Sequence, residues 1–226
     1  MPYAPRNFTA NNVYELTFRA RKGFPLPPKR LIKALLKGVL ARTQRDFKVH
    51  ICHLIWMANH PHIIIIIKDA EAAKCFYAEL KKKLTDSLKA MLGFNYLHLW
   101  EPRPNVSRLR YFEDVMAKIA YVYANPSRAD LVDSIEEYPG YSSYDDFRNC
   151  PNQVEAKVSE LVPWIQHSRL GRVPALLSDK TDAFLTKKYL SEAKKKHMLI
   201  VEPNLWMKCF GISDMSRSLF LDREFS

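Results

Sequence analysis

Residues 59–67 read Asn59-His60-Pro61-His62-Ile63-Ile64-Ile65-Ile66-Ile67. Five consecutive isoleucines describe a buried β-strand, because β-branched side chains pack well on a pleated surface and lose rotamer freedom in a helix. Residues i and i+2 of a strand project from the same face. His60 and His62 therefore point the same way, at the mouth of a rigid element. Two imidazoles in that relation can share one divalent metal ion. Taken alone, an H-x-H pair reads at least as well as two polar side chains bonded to neighbours at a strand end.

The flanking sequence gives the strand its setting. Residues 13–20 alternate, with Tyr14, Leu16 and Phe18 on one side and Glu15, Thr17 and Arg19 on the other, as in a half-buried strand. From Lys29 to Gln44 apolar residues recur at helical spacing. Residues 47–58 are β-type again, with Val49, Ile51, His53, Ile55 and Met57 expected on one face. Residues 70–92 form a long helix on the ladder Phe76, Leu80, Leu84, Leu88 and Leu92. A short strand is expected at residues 96–100, then an arginine-rich loop, then a helix from Tyr111 to Asn125 that Pro126 ends. Strand, helix, strand, strand, helix, strand, helix is the split βαβ order. It predicts an α+β, ferredoxin-like antiparallel sheet with helices packed on it. Beyond residue 150 short helical pieces (155–166 and 180–197) alternate with Pro and Gly, so a mostly helical extension is expected.

Composition narrows the class of partner. The 226 residues are 47% hydrophobic and 12% aromatic, enough for a core, and the net charge is +11. Residues 151–226 hold 12 basic and 9 acidic side chains, a net +3, so most of the positive charge lies before them. A basic surface favours a polyanion, with nucleic acid ahead of an anionic membrane. Cys52, Cys75, Cys150 and Cys209 are scattered without a C-x-x-C pair, which argues against structural zinc and fits a reducing, cytoplasmic setting. No apolar run has the length of a membrane span, and the first residues lack the apolar core of a secretion signal.

The helix at residues 111–125 bears on the histidines. At about 100° per residue, Phe112, Val115, Met116, Ile119, Val122 and Tyr123 make its core stripe. Tyr121 falls on the opposite, polar side with Asp114, Lys118 and Asn125. Tyr121 and Asn125 are i and i+4, hence neighbours. Tyr121 is either an ordinary surface tyrosine or, with Asn125, the rest of a site begun by His60 and His62. In the second case a phenol oxygen attacks a phosphodiester while a metal polarises the phosphate.

These residues resemble the REP-associated tyrosine transposases, a branch of the single-tyrosine HUH endonucleases. The similar segments are Met57-Ala58-Asn59-His60-Pro61-His62 with its isoleucines, Leu97-His98-Leu99-Trp100-Glu101, the run from Tyr121 through Asn125-Pro126-Ser127-Arg128-Ala129, and Tyr138-Pro139-Gly140-Tyr141-Ser142-Ser143-Tyr144. The resemblance spans residues 8–148 and implies an HUH-type domain over 1–149, followed by the extension over 150–226. It implies a metal-dependent nuclease that cuts single-stranded DNA beside a hairpin or imperfect palindrome, as a monomer or homodimer, in the bacterial cytoplasm with the nucleoid. Tyr121 would be the nucleophile, leaving a 5′-phosphotyrosine and a free 3′-OH. His60 and His62, with Asn125, would hold Mg²⁺ or Mn²⁺. Arg19, Arg21, Lys22, Arg108 and Arg110 are candidates for phosphate contacts. Pro61 departs from the pattern, which carries a bulky hydrophobic there; it lacks a ladder N–H and bears on the direction His60 takes. A sequence- or hairpin-specific DNA-binding protein that has lost or lacks cleavage is the competing reading.

Overall fold

The computed structural model describes residues 8–21, 26–102, 105–150, 153–173 and 178–213. Its elements in order are β1 (Asn12–Thr17), α1 (Arg30–Phe47), β2 (His50–Trp56), β3 (Pro61–Ile67), α2 (Ala70–Leu92), β4 (Asn105–Leu109), α3 (Phe112–Arg128), β5 (Tyr141–Ser142), α4 (Tyr144–Arg148), β6 (Val158–Trp164), α5 (Asp179–Glu192) and β7 (Lys195–Val201). The sheet runs β4-β1-β3-β2-β7-β6, with β5 also paired to β2. Its first four strands are antiparallel neighbours, which is the ferredoxin-like core, and β7 joins β2 in parallel.

β3 lies at the centre of that core, and its isoleucines divide between two faces. Ile63, Ile65 and Ile67 enter a cluster with α1 and α2; Ile64 and Ile66 enter a second with Val115, Ile119 and Val122 of α3. A strand covered on both faces needs apolar side chains at every position, which is what five isoleucines supply. Trp206, 1% exposed, closes the α3 side against Phe112, ring centroids 5.0 Å apart.

Several expectations change. β2 does not keep one face: a register shift between Ile51 and His53 sends Ile51 to the α1/α2 side but Cys52, Ile55 and Met57 to the α3 side. An extra residue in one strand of a pair has that effect. The fourth core strand is residues 105–109 rather than 96–100. The latter segment makes one isolated bridge, Ala20 with Trp100, and buries Leu97 and Leu99. α3 continues through Pro126 for another turn, because Ala129 N–H still reaches the Asn125 carbonyl (3.0 Å) and Leu131 N–H that of Pro126 (3.0 Å). A proline near a helix end removes one bond without stopping those beyond it. Met116, expected in the core stripe, is 48% exposed.

The extension is corrected most. Residues expected to be helical at 155–166 form β6, and those at 180–197 divide into α5 and β7. In β7 His197, Leu199 and Val201 are buried while Lys196 and Met198 are exposed, the alternation of a strand. The extension is built into the core fold. Gly38 of α1 lets β6 approach so closely that an added Cβ would lie 2.7 Å from the Pro163 carbonyl oxygen. α1 has no cap of its own; the buried Asp182 carboxylate of α5 accepts from the N–H groups of Arg30 (2.8 Å) and Leu31 (3.1 Å). Those are two of the donors a helix start leaves unpaired.

His53, wholly buried, has its Nδ1 2.9 Å from the Tyr123 hydroxyl, and that hydroxyl lies 3.1 Å from Ser143 Oγ. Burial pushes the His53 imidazole down to about 3. The unfolded chain therefore takes up a proton near the ordinary value of 6.5 that the folded chain refuses until about pH 3. This contribution is complete above pH 6.5 and is lost as pH falls through that window, to a total of roughly 5 kcal/mol at about 1.4 kcal/mol per unit. Urea unfolding followed from pH 7 to pH 4 is expected to show stability falling with pH, with a shallower slope in His53→Gln.

Candidate functional site

Two elements facing each other across the second core carry the site. β3 enters the sheet at Pro61, paired with Trp56 of β2, and Met57 N–H bonds the His60 carbonyl (2.9 Å). Proline is accommodated as the first residue of a strand, and here it does not drive the histidines apart. Their ring centroids are 4.9 Å apart. Tyr121 of α3 stands edge-on to His62, centroids 5.6 Å apart, and is 37% exposed. Asn125 lies one turn further along α3; its Nδ2 is buried and has no hydrogen-bond partner among the described residues. Tyr123 points into the core, and burial raises its phenol well above the ordinary value.

A residue outside the expected set holds this arrangement. The register pairs Thr17 of β1 with His62, so Glu15, two residues back, faces the same side. Its carboxylate is 2.7 Å from His62 Nδ1 and 3.0 Å from Lys118 Nζ of α3. Burial alone would raise the Glu15 carboxyl, but the bonds from His62 and Lys118 bring it below the usual range. Thr17 Oγ1 also lies 3.3 Å from His62 Nδ1. Glu15 thus ties β1, β3 and α3 together beneath Tyr121. Lys118 Nζ and the Arg128 guanidinium sit over the Tyr121 ring, at 4.9 and 5.5 Å from its centroid.

The donor set can be judged from these contacts. In the neutral His62 ring with Nδ1–H donating to Glu15, the lone pair falls on Nε2, which is buried and has no hydrogen-bond partner among the described residues. A carboxylate behind a histidine is the usual support of a metal-binding imidazole. His60 Nδ1 is 2.5 Å from Asn59 Oδ1, which leaves its own Nε2 available. Burial, reinforced by His62 and Arg19, pushes His60 down to about 4, so it is neutral at pH 7 as a ligand must be. Among the described residues no three His, Cys, Asp or Glu side chains converge on one point. The candidate donors are the two imidazole Nε2 atoms, with the Asn125 amide one turn beyond Tyr121 on α3.

The basic candidates are not gathered in one place. Arg19 and Arg21 are exposed just beyond β1, and Arg19 is near enough to His60 to lower its pKa. Arg108, bonded to Asn12, pairs with Tyr14, three residues back along β1 from the Thr17–His62 pair. At about 3.3 Å per residue that is about 10 Å away; Arg110 lies further in the same direction. Lys22 lies outside the described residues. Trp100 is half-buried against Phe18, with Nε1 bonded to the Lys81 carbonyl (3.1 Å) and Thr85 Oγ1 (3.0 Å). Those bonds make it a brace between β1 and α2.

The antiparallel core, covered on both faces and opening at the start of β3, defines an α+β fold of the ferredoxin-like class. Among solved structures the chain is similar to a REP-associated tyrosine transposase bound to a REP hairpin, with a TM-score of 0.56 and 19% identity over 66% of this chain and 86% of that one. At that identity the likeness is one of fold. No family model matches the chain, and no curated protein matches it.

Removing the Glu15 carboxylate leaves His62 and Lys118 without their shared partner. Glu15→Ala is expected to lower stability by about 1–3 kcal/mol, read from urea unfolding; a loss below about 0.3 kcal/mol would show that the network carries no weight.

Proposed function

We propose that this chain is a metal-dependent, tyrosine-nucleophile endonuclease and strand transferase acting on single-stranded DNA beside hairpin repeats. The observation that carries the reading is the buried Nε2 of His62, without a partner among the described residues, held from behind by Glu15 and set against the exposed Tyr121. The fold shared with a hairpin-bound tyrosine transposase supports the substrate class.

In this reading the Tyr121 phenol oxygen attacks the scissile phosphorus in line. The Tyr–O–P bond forms, the P–O3′ bond breaks, and the departing oxygen takes up a proton as a 3′-OH. The phenol proton passes to solvent, which Tyr121 meets at its exposed edge. The Lys118 ammonium and Arg128 guanidinium, beside the Tyr121 ring, hold the phosphate by charge. His60, His62 and Asn125 would hold Mg²⁺ or Mn²⁺, whose Lewis acidity polarises the phosphate. Glu15 fixes the His62 tautomer that leaves Nε2 free. The 5′-phosphotyrosine conserves the energy of the phosphodiester, so a second 3′-OH can reverse the step and join a new strand.

Incubation of the protein with Mn²⁺ and a hairpin-flanked single strand is expected to give a covalent protein–DNA adduct, seen as a shifted band after denaturing electrophoresis. Tyr121→Phe abolishes the band and keeps hairpin affinity within about threefold, whereas Tyr123→Phe retains it. An adduct surviving in Tyr121→Phe overturns the assignment. Hairpin binding without any adduct from the unaltered chain makes it a DNA-binding protein instead.

Metal affinity is tested separately by calorimetry with Mn²⁺. Glu15→Gln is expected to weaken binding by about 10- to 100-fold, the usual effect of losing the carboxylate behind a ligating histidine, and His62→Ala to abolish it. Equal affinity in all three proteins removes the metal from the proposal.

A further inference from the structure

β7 runs beside β2 but pairs with it at a single position, Ile51 with Val201, continued by Glu202 N–H to the Ile51 carbonyl (2.8 Å). Before that point the strands are held apart by Gln44 of α1. Its side-chain amide accepts from Ile200 N–H (2.9 Å) and donates to the Ile200 carbonyl (2.7 Å) and, less closely, to that of Val49 (3.2 Å). A buried amide thus takes the place of a strand, and a cleft opens between β7 and the turn joining α1 to β2.

The cleft is cationic. Arg45, Lys48, Lys68, Lys157, Lys195 and Lys196 line it, and Glu202 is the one carboxylate among its walls. That carboxylate is engaged by His50, with Nδ1 2.5 Å away. All five lysines are exposed, and none of their side-chain ammonium groups makes an ion pair or hydrogen bond among the described residues. Elsewhere Lys29, Lys37, Lys83 and Lys118 are each matched by an acid. The lysines come from four separate stretches of chain, so their convergence is a product of the fold and not of one charged run. Lys195 and Lys196, which lie in the stretch 180–197 expected from the sequence to be helical, begin a strand that forms one wall.

We infer that this cleft is a second nucleic-acid site, which binds the phosphate backbone of duplex DNA apart from the tyrosine site. Five point-like ammonium groups on exposed stems predominate in this lining, and its one guanidinium, Arg45, is already engaged by Asp46; such a set suits backbone contact without sequence preference. The lining has no bulky apolar side chain exposed beyond Met198, which argues against insertion into a lipid surface. Lys68 follows β3 directly, six residues from His62, so the cleft lies about 20 Å from the tyrosine site at a strand's rise per residue. That distance is about six base-pair steps of a duplex. The inference needs no cleavage at Tyr121 and stands or falls without it.

The test uses the full chain, a 20-base-pair fluorescent duplex of arbitrary sequence with no hairpin, and anisotropy over a salt series. The triple variant Lys68→Gln/Lys195→Gln/Lys196→Gln is compared with Lys180→Gln/Lys187→Gln/Lys188→Gln, which removes the same charge from exposed positions on α5. The cleft variant is expected to bind at least tenfold more weakly at 0.15 M salt. Its log–log salt slope is expected to shrink by about two to three, since each lost phosphate contact removes about 0.9. The α5 variant stays within about twofold of the parent. Unchanged affinity and slope in the cleft variant, or an equal loss in the α5 variant, overturns the proposal. So does a cleft variant that keeps duplex binding but loses binding to vesicles of phosphatidylserine and phosphatidylcholine, which would make the surface a lipid-facing one.

Discussion

A central strand whose two faces are both covered has no solvent side on which to place a polar residue. β3 meets that constraint with isoleucine from Ile63 to Ile67, and the rest of the chain supplies the two covers, α1 and α2 on one face and α3 on the other. Polar side chains can join such a strand only at its ends. His62 is the first residue after Pro61, at the rim of the α3-side core, where a neighbour on β1 can still reach it. The same burial that makes the sheet stable therefore fixes where a polar site can exist and which helix must face it.

Burial also sets the electrical character of that rim. Glu15 is nearly inaccessible, and a carboxylate there is tolerable only because a histidine and a lysine from two other elements surround it. Each partner in turn is oriented by the acid. His62 is left with one nitrogen engaged and the other without a partner among the described residues, and Lys118 is left bridging toward Tyr121. Desolvation keeps His60 uncharged beside it. The Glu15–His62 pair is buried between two strands, unlike the exposed pairs of flexible side chains that contribute little.

The split βαβ order was legible because long periodic segments survive in almost any tertiary setting. The two spacing rules, i to i+2 on a strand and i to i+4 on a helix, sufficed to bring His60, His62, Tyr121 and Asn125 into consideration together. What escaped depended on pairing. Glu15 sits on the polar side of an alternating strand, and only the antiparallel register with β3 turns that side from solvent to site. β4 is an edge strand with mixed polarity, so the more apolar residues 96–100 looked more like a strand than it does. The bulge at Cys52 reverses a face without any compositional mark, and in β7 a lysine pair hides the alternation of His197, Leu199 and Val201.

The Asp182 carboxylate that caps α1 lies some 150 residues downstream of the helix it completes. A chain emerging from the ribosome makes α1 early, while the acid that satisfies its first N–H groups is still to be synthesised. Until then α1 begins with bare donors, and its surface at Gly38 waits for β6. Domains generally form as units during synthesis, and here the first helix is completed at both ends by residues far downstream, at its start by Asp182 and near its end, at Gln44, by Ile200. The closing of the fold is thus timed by its end, and a ribosome stalled before α5 would carry a core whose first helix is only partly set.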